Sequence, residues 1–352
     1  MERERMGVGT RVGAVWAAVL SPAVGVLPAL AARIGGQGGW LAPLAALPIL
    51  LLLTRTWGAL ARKEVLPAGL TIIYIMWALL LGGARLRLSG QRLQYTAQRE
   101  ANLWFFLLVL VVGATWLAWG KREAFLRGAA VFGRVLTPAL VGVVAFTLFQ
   151  IRLANLFPLW TEDVFAVLKA SVPVLGVLCY GVYGALVWEG EARGVRSRTG
   201  GGCLLLSALL LTVLGNLGAE LAGALEDPFL TLSKHVGVKG AFQRVESLVS
   251  ALWLLGDLAL LGLLLWACRR LLPTQKGTRV ALGGAALMLL LAGTLFRAAV
   301  WAQWFEYVLA PLGNLVLGGV VPLALYLRRR CKGISCAPKA QGKADIGTKE
   351  NT

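Results

Sequence analysis

Apolar residues in this chain come in blocks of about 20, a length that spans the roughly 30 Å hydrocarbon core of a bilayer as one helix. Short polar connections separate the blocks. Hydrophobic residues make up 58% of the 352 residues and charged residues only 15%, whereas a soluble domain carries about a quarter charged residues. The chain has too little polar surface for a soluble fold of this size. The pattern therefore predicts an all-α, multi-pass integral membrane protein.

The apolar blocks predict about ten transmembrane helices. Their expected limits are 11–33, 39–54, 67–88, 102–119, 128–149, 164–188, 200–222, 245–268, 280–300 and 305–327. We expect a cytoplasmic N-terminus (1–10), a membrane domain (11–327) and a basic, disordered cytoplasmic tail (328–352). Ten spans divide into two halves of five, with repeat one at about 11–149 and repeat two at about 164–300. An odd number of spans per half would invert the second repeat relative to the first.

The net charge of +18 could indicate nucleic-acid binding. However, the basic residues lie in the short connections between spans, which is typical of the positive-inside rule. We therefore expect a lipid bilayer and no nucleic acid as partner. With the N-terminus in the cytoplasm, internal connections carry 16 Lys and Arg against 10 outside, leaving the tail aside. The four arginines Arg85, Arg87, Arg92 and Arg99 would face out, on a short helix lying along the membrane surface.

Two matching segments interrupt spans one and six. Both read P-x-x-G-V-L, beginning at Pro22 and at Pro173, 151 residues apart. Proline removes a helix hydrogen bond and glycine permits an unwound stretch, and such breaks within a membrane line cavities or ligand sites. The motif predicts that helices one and six are broken near mid-membrane and bind a ligand. The alternative is that Pro and Gly merely kink these helices.

Charged residues inside predicted spans are candidates for function because burying them in a bilayer is costly. Asp257 lies in the middle of span eight and Arg134 lies within span five. The two could form a buried ion pair that fixes helix register, or Asp257 could bind a ligand or a proton. Glu306 lies near a span end, and we expect it at the membrane interface.

No enzyme motif occurs in the sequence: G-x-S-x-G, H-E-x-x-H and a P-loop are all missing. We therefore expect no catalytic residues and no cofactor. Cys179, Cys203 and Cys268 lie in apolar blocks, where they are predicted to be small core residues. The tail cysteines, Cys331 and Cys336, have no histidine nearby, so we predict no metal site.

Several stretches together resemble the B subunits of GerA-type spore germinant receptors, the endospore germination permease family of the amino acid–polyamine–organocation superfamily. The resemblance covers residues 10–328 and is carried by the order and spacing of residues 20–41, Asn155–Leu159, Leu168–Pro173, Asp227–Val238, Phe242–Glu246 and Trp253–Gly256. Members usually carry Phe-Ile-Lys after the Trp-x-x-Gly of span eight, where this chain has Asp257-Leu-Ala-Leu.

The resemblance implies a LeuT-like fold of five-plus-five inverted repeats with broken helices one and six. It implies a site there for a small nutrient, commonly an amino acid, and partnership with A and C receptor subunits in the spore inner membrane. The residues expected to bind the ligand are Ser21, Ala23, Val24, Gly25, Gly176, Tyr180 and Gly181. Two alternatives remain open: a proton-coupled amino-acid permease of the cell membrane with Asp257 as proton carrier, and a membrane scaffold without transport or sensing.

Overall fold

The computed structural model describes residues 8–61, 66–97, 100–157, 159, 163–187, 195–235, 245–272 and 277–335. Within those ranges every regular element is helical, because a chain in lipid must satisfy its backbone groups internally and a helix does so within one segment. The α-helices are α1 Val8–Gly35, α2 Ala42–Ala61, α3 Ala68–Ala97, α4 Leu103–Trp119, α5 Arg122–Leu148, α6 Asp163–Leu178, α7 Gly181–Val187, α8 Val195–Leu217, α9 Ala219–Ala224, α10 Pro228–His235, α11 Val245–Leu271, α12 Gly277–Gly293, α13 Ala299–Trp304, α14 Ala310–Leu315 and α15 Val321–Ser335.

Irregular helical turns connect or interrupt these elements. A 3₁₀ helix, Gly36–Leu41, joins α1 to α2 and begins at Gly36, whose φ of 53° is readily adopted by glycine. Two π-helical segments, Phe305–Leu309 and Val316–Val320, separate α13, α14 and α15. Residues 299–335 therefore form one helical run, called the last helix below.

Seven segments of the described chain are long and apolar enough to cross a membrane, and α4 and α12 are shorter apolar helices. The first of the seven, Gly9–Trp57, contains both α1 and α2. The prediction of an all-α polytopic membrane protein is thereby confirmed. A helix or helical run stands at each of the ten predicted spans, whereas the inverted-repeat relation between the halves stays a prediction. The tail expected from 328 begins as helix, because α15 continues to Ser335.

Helix one is continuous, and the predicted break in it is wrong. α1 runs for 28 residues with Pro22 and Pro28 inside. Each proline removes one N–H from the helical ladder, but neighbouring turns remain helical here. Neighbouring helices can compensate such losses in a membrane; around this point α1 packs against α5, α6 and α11.

Helix six is interrupted as predicted, although the break lies after the Pro-Gly motif. α6 ends at Leu178 and α7 begins at Gly181. At the break the N–H of Tyr180 donates to the carbonyl of Val177, three residues back, at 3.2 Å. The four-residue hydrogen-bond spacing of the α-helix is lost at that point.

The third helix differs most from the expectation. α3 is one helix of 30 residues, so the surface helix predicted to carry Arg85, Arg87 and Arg92 is not present; Arg99 lies outside the described residues. Arg85 and Arg92 are buried instead. Their burial is possible because α3 packs along α11, which carries a carboxylate opposite them.

Small residues bring α1, α5 and α11 close together. A Cβ added to Gly133 of α5 would lie 2.9 Å from the carbonyl oxygen of Gly13, and one added to Gly256 of α11 would lie 3.0 Å from Cβ of Ser21. Close backbone approach at small residues is typical of helix packing in membranes. This packing places Ser21 of α1 directly beside the centre of α11.

Candidate functional site

Three polar side chains share one face of α3. Arg85, Ser89 and Arg92 are spaced by four and three residues, which brings them to the same side of an α-helix. All three are buried, Arg85 with only 1% of its surface exposed. A buried arginine requires a compensating charge.

Asp257 of α11 supplies that charge. Nε of Arg85 donates to Oδ1 of Asp257 at 2.8 Å, and Nη1 of Arg92 lies 3.3 Å from Oδ2. The hydroxyl of Ser21 donates to the same carboxylate. Asp257 is 2% exposed, so one buried carboxylate is shared by two guanidinium groups. We call Ser21, Arg85, Arg92, Trp253 and Asp257 the central network.

Ser21 and Trp253 complete this network. Nη2 of Arg85 donates to Oγ of Ser21 at 2.6 Å, and Nε1 of Trp253 donates to both the Ser21 carbonyl and its hydroxyl at 3.1 Å. The guanidinium of Arg92 lies 3.9 Å above the Trp253 ring, a cation–π contact. Side chains of α1, α3 and α11 are thus linked by one set of polar contacts.

Gly25 makes room for both arginines. A Cβ at this position would lie 3.2 Å from Cζ2 of Trp253, 3.5 Å from Nη1 of Arg85 and 3.6 Å from Nη2 of Arg92. A longer side chain would push into the network. The glycine is thus required here for space.

A second buried carboxylate lies at the other end of Arg85. Glu306 of the last helix is 1% exposed, and its Oε1 is 4.0 Å from Nη1 of Arg85. The side chains of Tyr180 and Asn314 lie next to this carboxylate and interact with each other and with it, although Oε1, Oη of Tyr180 and Nδ2 of Asn314 make no hydrogen bond of good geometry among the described residues. The expectation that Glu306 lies at the membrane interface is wrong, because its side chain is buried in the interior beside Arg85.

The central network also extends to a surface segment. Nε of Arg92 lies 3.6 Å from Oδ2 of Asp227, which is 32% exposed and precedes α10. The neighbouring carbonyl of Glu226 accepts a 2.6 Å hydrogen bond from Tyr307 of the last helix. Arg92 therefore connects the buried Asp257 with a partly exposed acid.

A narrow, almost entirely apolar crevice opens beside the network. It lies between α1, α5, α10 and α11, and its lining residues are Leu20, Ser21, Val24, Leu136, Ala139, Leu140, Phe229, Val249, Leu252 and Trp253. Ser21 and Trp253 belong to both the crevice and the network. The space within the crevice is about 10 Å³, room for about one water molecule, so a larger molecule would have to widen it before contacting the charged centre through these two residues.

The predicted ligand residues fall into separate places. Ser21 and Gly25 lie at the central network, Val24 lines the crevice, and Ala23 is buried in the core. The positions around the break in helix six lie elsewhere. A Cβ at Gly176 would overlap the Pro311 carbonyl, one at Gly181 would lie 2.7 Å from the Trp57 ring, and Tyr180 lies beside Glu306.

Arg134 does not pair with Asp257. It is exposed on the outer face of α5, whereas Asp257 faces α1 and α3. The prediction failed because residues 85–92 were assigned to an external connection, which left Arg134 as the nearest available cation. The Arg85-x₃-Ser89-x₂-Arg92 spacing was the signal that could have placed two arginines on one buried helix face.

Among the described residues, no group of three His, Cys, Asp or Glu side chains could hold a metal ion. Cys179, Cys203 and Cys268 are buried free thiols, which confirms their assignment as core residues. The contacts of the central network are sensitive to an added charge. A cation or anion that arrives near Ser21 competes with the contacts that Ser21, Arg85 and Asp257 make with one another.

The helices and this buried network define a polytopic membrane protein with an intramembrane charge centre. A family model described as Spore germination protein matches residues 19–290. The chain belongs to this family of spore germination proteins, which confirms the resemblance found in the sequence. A search of curated proteins finds no match.

Proposed function

We propose that this protein is the integral membrane subunit of a spore germinant receptor and that it senses a small nutrient of the amino-acid class. The observation that carries the proposal is the apolar crevice beside a buried charge network, in a chain of the spore germination family. The spore inner membrane is the proposed location, and A and C receptor subunits are the proposed partners.

The continuity of α1 decides how the ligand would be held. Its backbone remains helical on both sides of Pro22 and Pro28, and only the carbonyls that these prolines leave without a donor are unpaired within the helix, so recognition by an unwound stretch of α1 is not part of the proposal. The ligand's apolar side chain would occupy the crevice, and its polar groups would meet Ser21 at the crevice wall. An ammonium or carboxylate there competes with the Ser21 hydrogen bonds to Asp257 and Arg85.

Arg85 could transmit the effect of ligand binding from Asp257 to Glu306. It contacts Asp257 at 2.8 Å and Glu306 at 4.0 Å, so weakening the Asp257 contact favours a closer contact with Glu306. Such an exchange would move α3 relative to the last helix and shift the population between two arrangements. The movement would pass a signal to the partner subunits, and the signal would finally lead to the release of ions and dipicolinate.

The test uses spores from a strain that lacks this gene. Dipicolinate release is followed on exposure to a panel of amino acids, sugars and nucleosides, beside wild-type spores and the complemented strain. Loss of the response to one nutrient class, restored by complementation, is the expected result. An unchanged response to every nutrient in a strain without other germinant receptors would refute the receptor role.

One observation favours a second candidate, a proton-coupled amino-acid permease. Glu306 is a buried carboxylate whose Oε1 makes no hydrogen bond of good geometry among the described residues, whereas Asp257 accepts hydrogen bonds from three donors. The proton carrier of such a permease would be Glu306 and not Asp257. Purified protein in proteoliposomes would then take up amino acids along a proton gradient, and Glu306→Gln would abolish the dependence on the gradient. Absence of uptake by wild-type protein would exclude this function.

A further inference from the structure

Helix α5 leaves one face uncovered along its middle. Only 33% of its most apolar window is buried, the smallest share among the seven candidate spans of the described chain. The exposed residues between positions 131 and 145 are Val131, Arg134, Val135, Pro138, Val141 and Ala145. In a membrane-spanning helix such a face lies against lipid or against another protein.

Arg134 is near the middle of this helix. It lies twelve residues after Arg122 and fourteen before Leu148, and about 9 Å, at 1.5 Å per residue, into the apolar stretch that follows Arg127. An arginine at such a depth is costly in hydrocarbon and is normally paired. Among the described residues no carboxylate pairs with it, so the structure holds an exposed intramembrane cation.

A second copy of this chain cannot supply the missing charge from its described residues. The two carboxylates at membrane depth are Asp257 and Glu306, and both are buried in the interior. The other described acids lie in loops or at helix ends, namely Glu100, Glu123, Asp163, Glu220, Glu226, Asp227 and Glu246. Among the described residues, a second copy therefore offers no carboxylate at the depth of Arg134, and a helix of a different polypeptide is the occupant that we consider.

The exposed side chains around Arg134 are of moderate size. Between residues 131 and 145 no exposed residue of α5 other than Arg134 is larger than valine, whereas the exposed Phe146 and Leu148 follow closely. The exposed face of α4 is bulkier, with Trp104, Phe105, Leu108 and Trp116.

We propose that the α5 face centred on Arg134 is the docking surface for a membrane-spanning helix of another subunit, which carries an aspartate or glutamate at the same depth. This inference deepens the proposed function, because it states how a receptor subunit would join its partner. Its basis is charge complementarity: the face presents one unpaired cation in an otherwise apolar surface.

The experiment places a photo-cross-linking amino acid at Val135 of the full-length protein in membranes of sporulating cells. A matched variant carries it at Val112, on the exposed face of α4. We expect the variant with the cross-linker at position 135 to form an adduct with one other membrane protein. The variant with the cross-linker at position 112 should form no adduct with that protein. Sequencing of the adduct should identify a spanning peptide that contains Asp or Glu.

Substitutions then test the charge itself. Arg134→Leu should reduce the adduct about tenfold or more, and Arg134→Lys should retain most of it, since loss of the ion pair strands the partner's carboxylate in the membrane. Exchanging the two charges, with Arg134→Asp and arginine at the partner's acid, should restore the adduct. Arg134→Leu removes an exposed residue, so insertion and thermal stability of this chain should be unchanged.

Adducts with lipid or with a second copy only, a partner peptide without a carboxylate, or an adduct unaffected by Arg134→Leu would each overturn the proposal. Lipid adducts alone would mean that Arg134 reaches headgroups by snorkelling. The receptor role is read separately, from dipicolinate release by the deletion strain. If the cross-link behaves as expected but the nutrient responses of the spores do not require this gene, the docking surface is supported and the receptor role is refuted.

Discussion

Replacing Asp257 by asparagine should destabilise the protein strongly. The carboxylate accepts from Arg85 and Arg92, and hydrogen bonds to charged groups each contribute about 1.5–3 kcal/mol. Breaking a buried ion pair by removing one partner costs about 3–5 kcal/mol. Because asparagine keeps the shape and one acceptor oxygen, we expect a loss of about 3 kcal/mol in the free energy of unfolding.

The loss should be partly reversed when the uncompensated charge is also removed. Arg85→Met combined with Asp257→Leu replaces the pair by apolar groups, an exchange that is often neutral for isolated buried pairs. Only part of the loss is recovered here, because Arg92 loses its contact with Asp257 and Glu306 loses its contact with Arg85. The assay is reversible unfolding of the purified protein in mixed micelles, with the exposed Arg279→Met as control. A loss below about 1 kcal/mol for Asp257→Asn, the range of surface pairs, would show that the network is not buried as described.

Substitutions at Gly176 and Gly25 test the packing around the site, and Gly283→Ala is the control for the first of them. Gly176→Ala should lower the free energy of unfolding by about 1–3 kcal/mol, because the added Cβ overlaps the Pro311 carbonyl. Gly283→Ala should be neutral or stabilising, because a Cβ there meets nothing within 4 Å. Equal thermal stabilities of the two variants would contradict this packing. Gly25→Leu should abolish the nutrient response of spores while the protein still inserts, because the side chain displaces Trp253; a normal dose–response curve would refute this.

The membrane class and the positions of the helices could be predicted from the sequence because apolar block length is set by bilayer thickness. The end of the third helix could not be predicted from the sequence. Hydropathy falls where arginines appear, and the predicted span stopped at 88. The helix continues to Ala97 because Asp257 compensates the charge of Arg85 and Arg92. That compensation depends on a residue more than 150 positions away and is invisible to a local window.

The candidate site was predicted in part. Ser21 and Gly25 were placed on the correct helix, and Asp257 was recognised as the intramembrane acid. The sequence analysis expected Ser21 and Gly25 to act through an unwound stretch of backbone. In the structure α1 is continuous, and the contacts of the central network come from side chains. Glu306 was missed because it lies near the start of the predicted span 305–327, and the sequence does not show that Arg85 of another helix lies beside it.

The central claim is that a nutrient occupies the crevice beside Ser21. It is tested most directly by the dipicolinate release of spores carrying Leu252→Phe, which fills the crevice, as a function of nutrient concentration. Leu108→Phe, on the exposed face of α4, is the matched control. We predict a higher half-maximal nutrient concentration for Leu252→Phe at a normal protein level, and a wild-type curve for Leu108→Phe. Identical curves for both variants and the wild type would contradict the account.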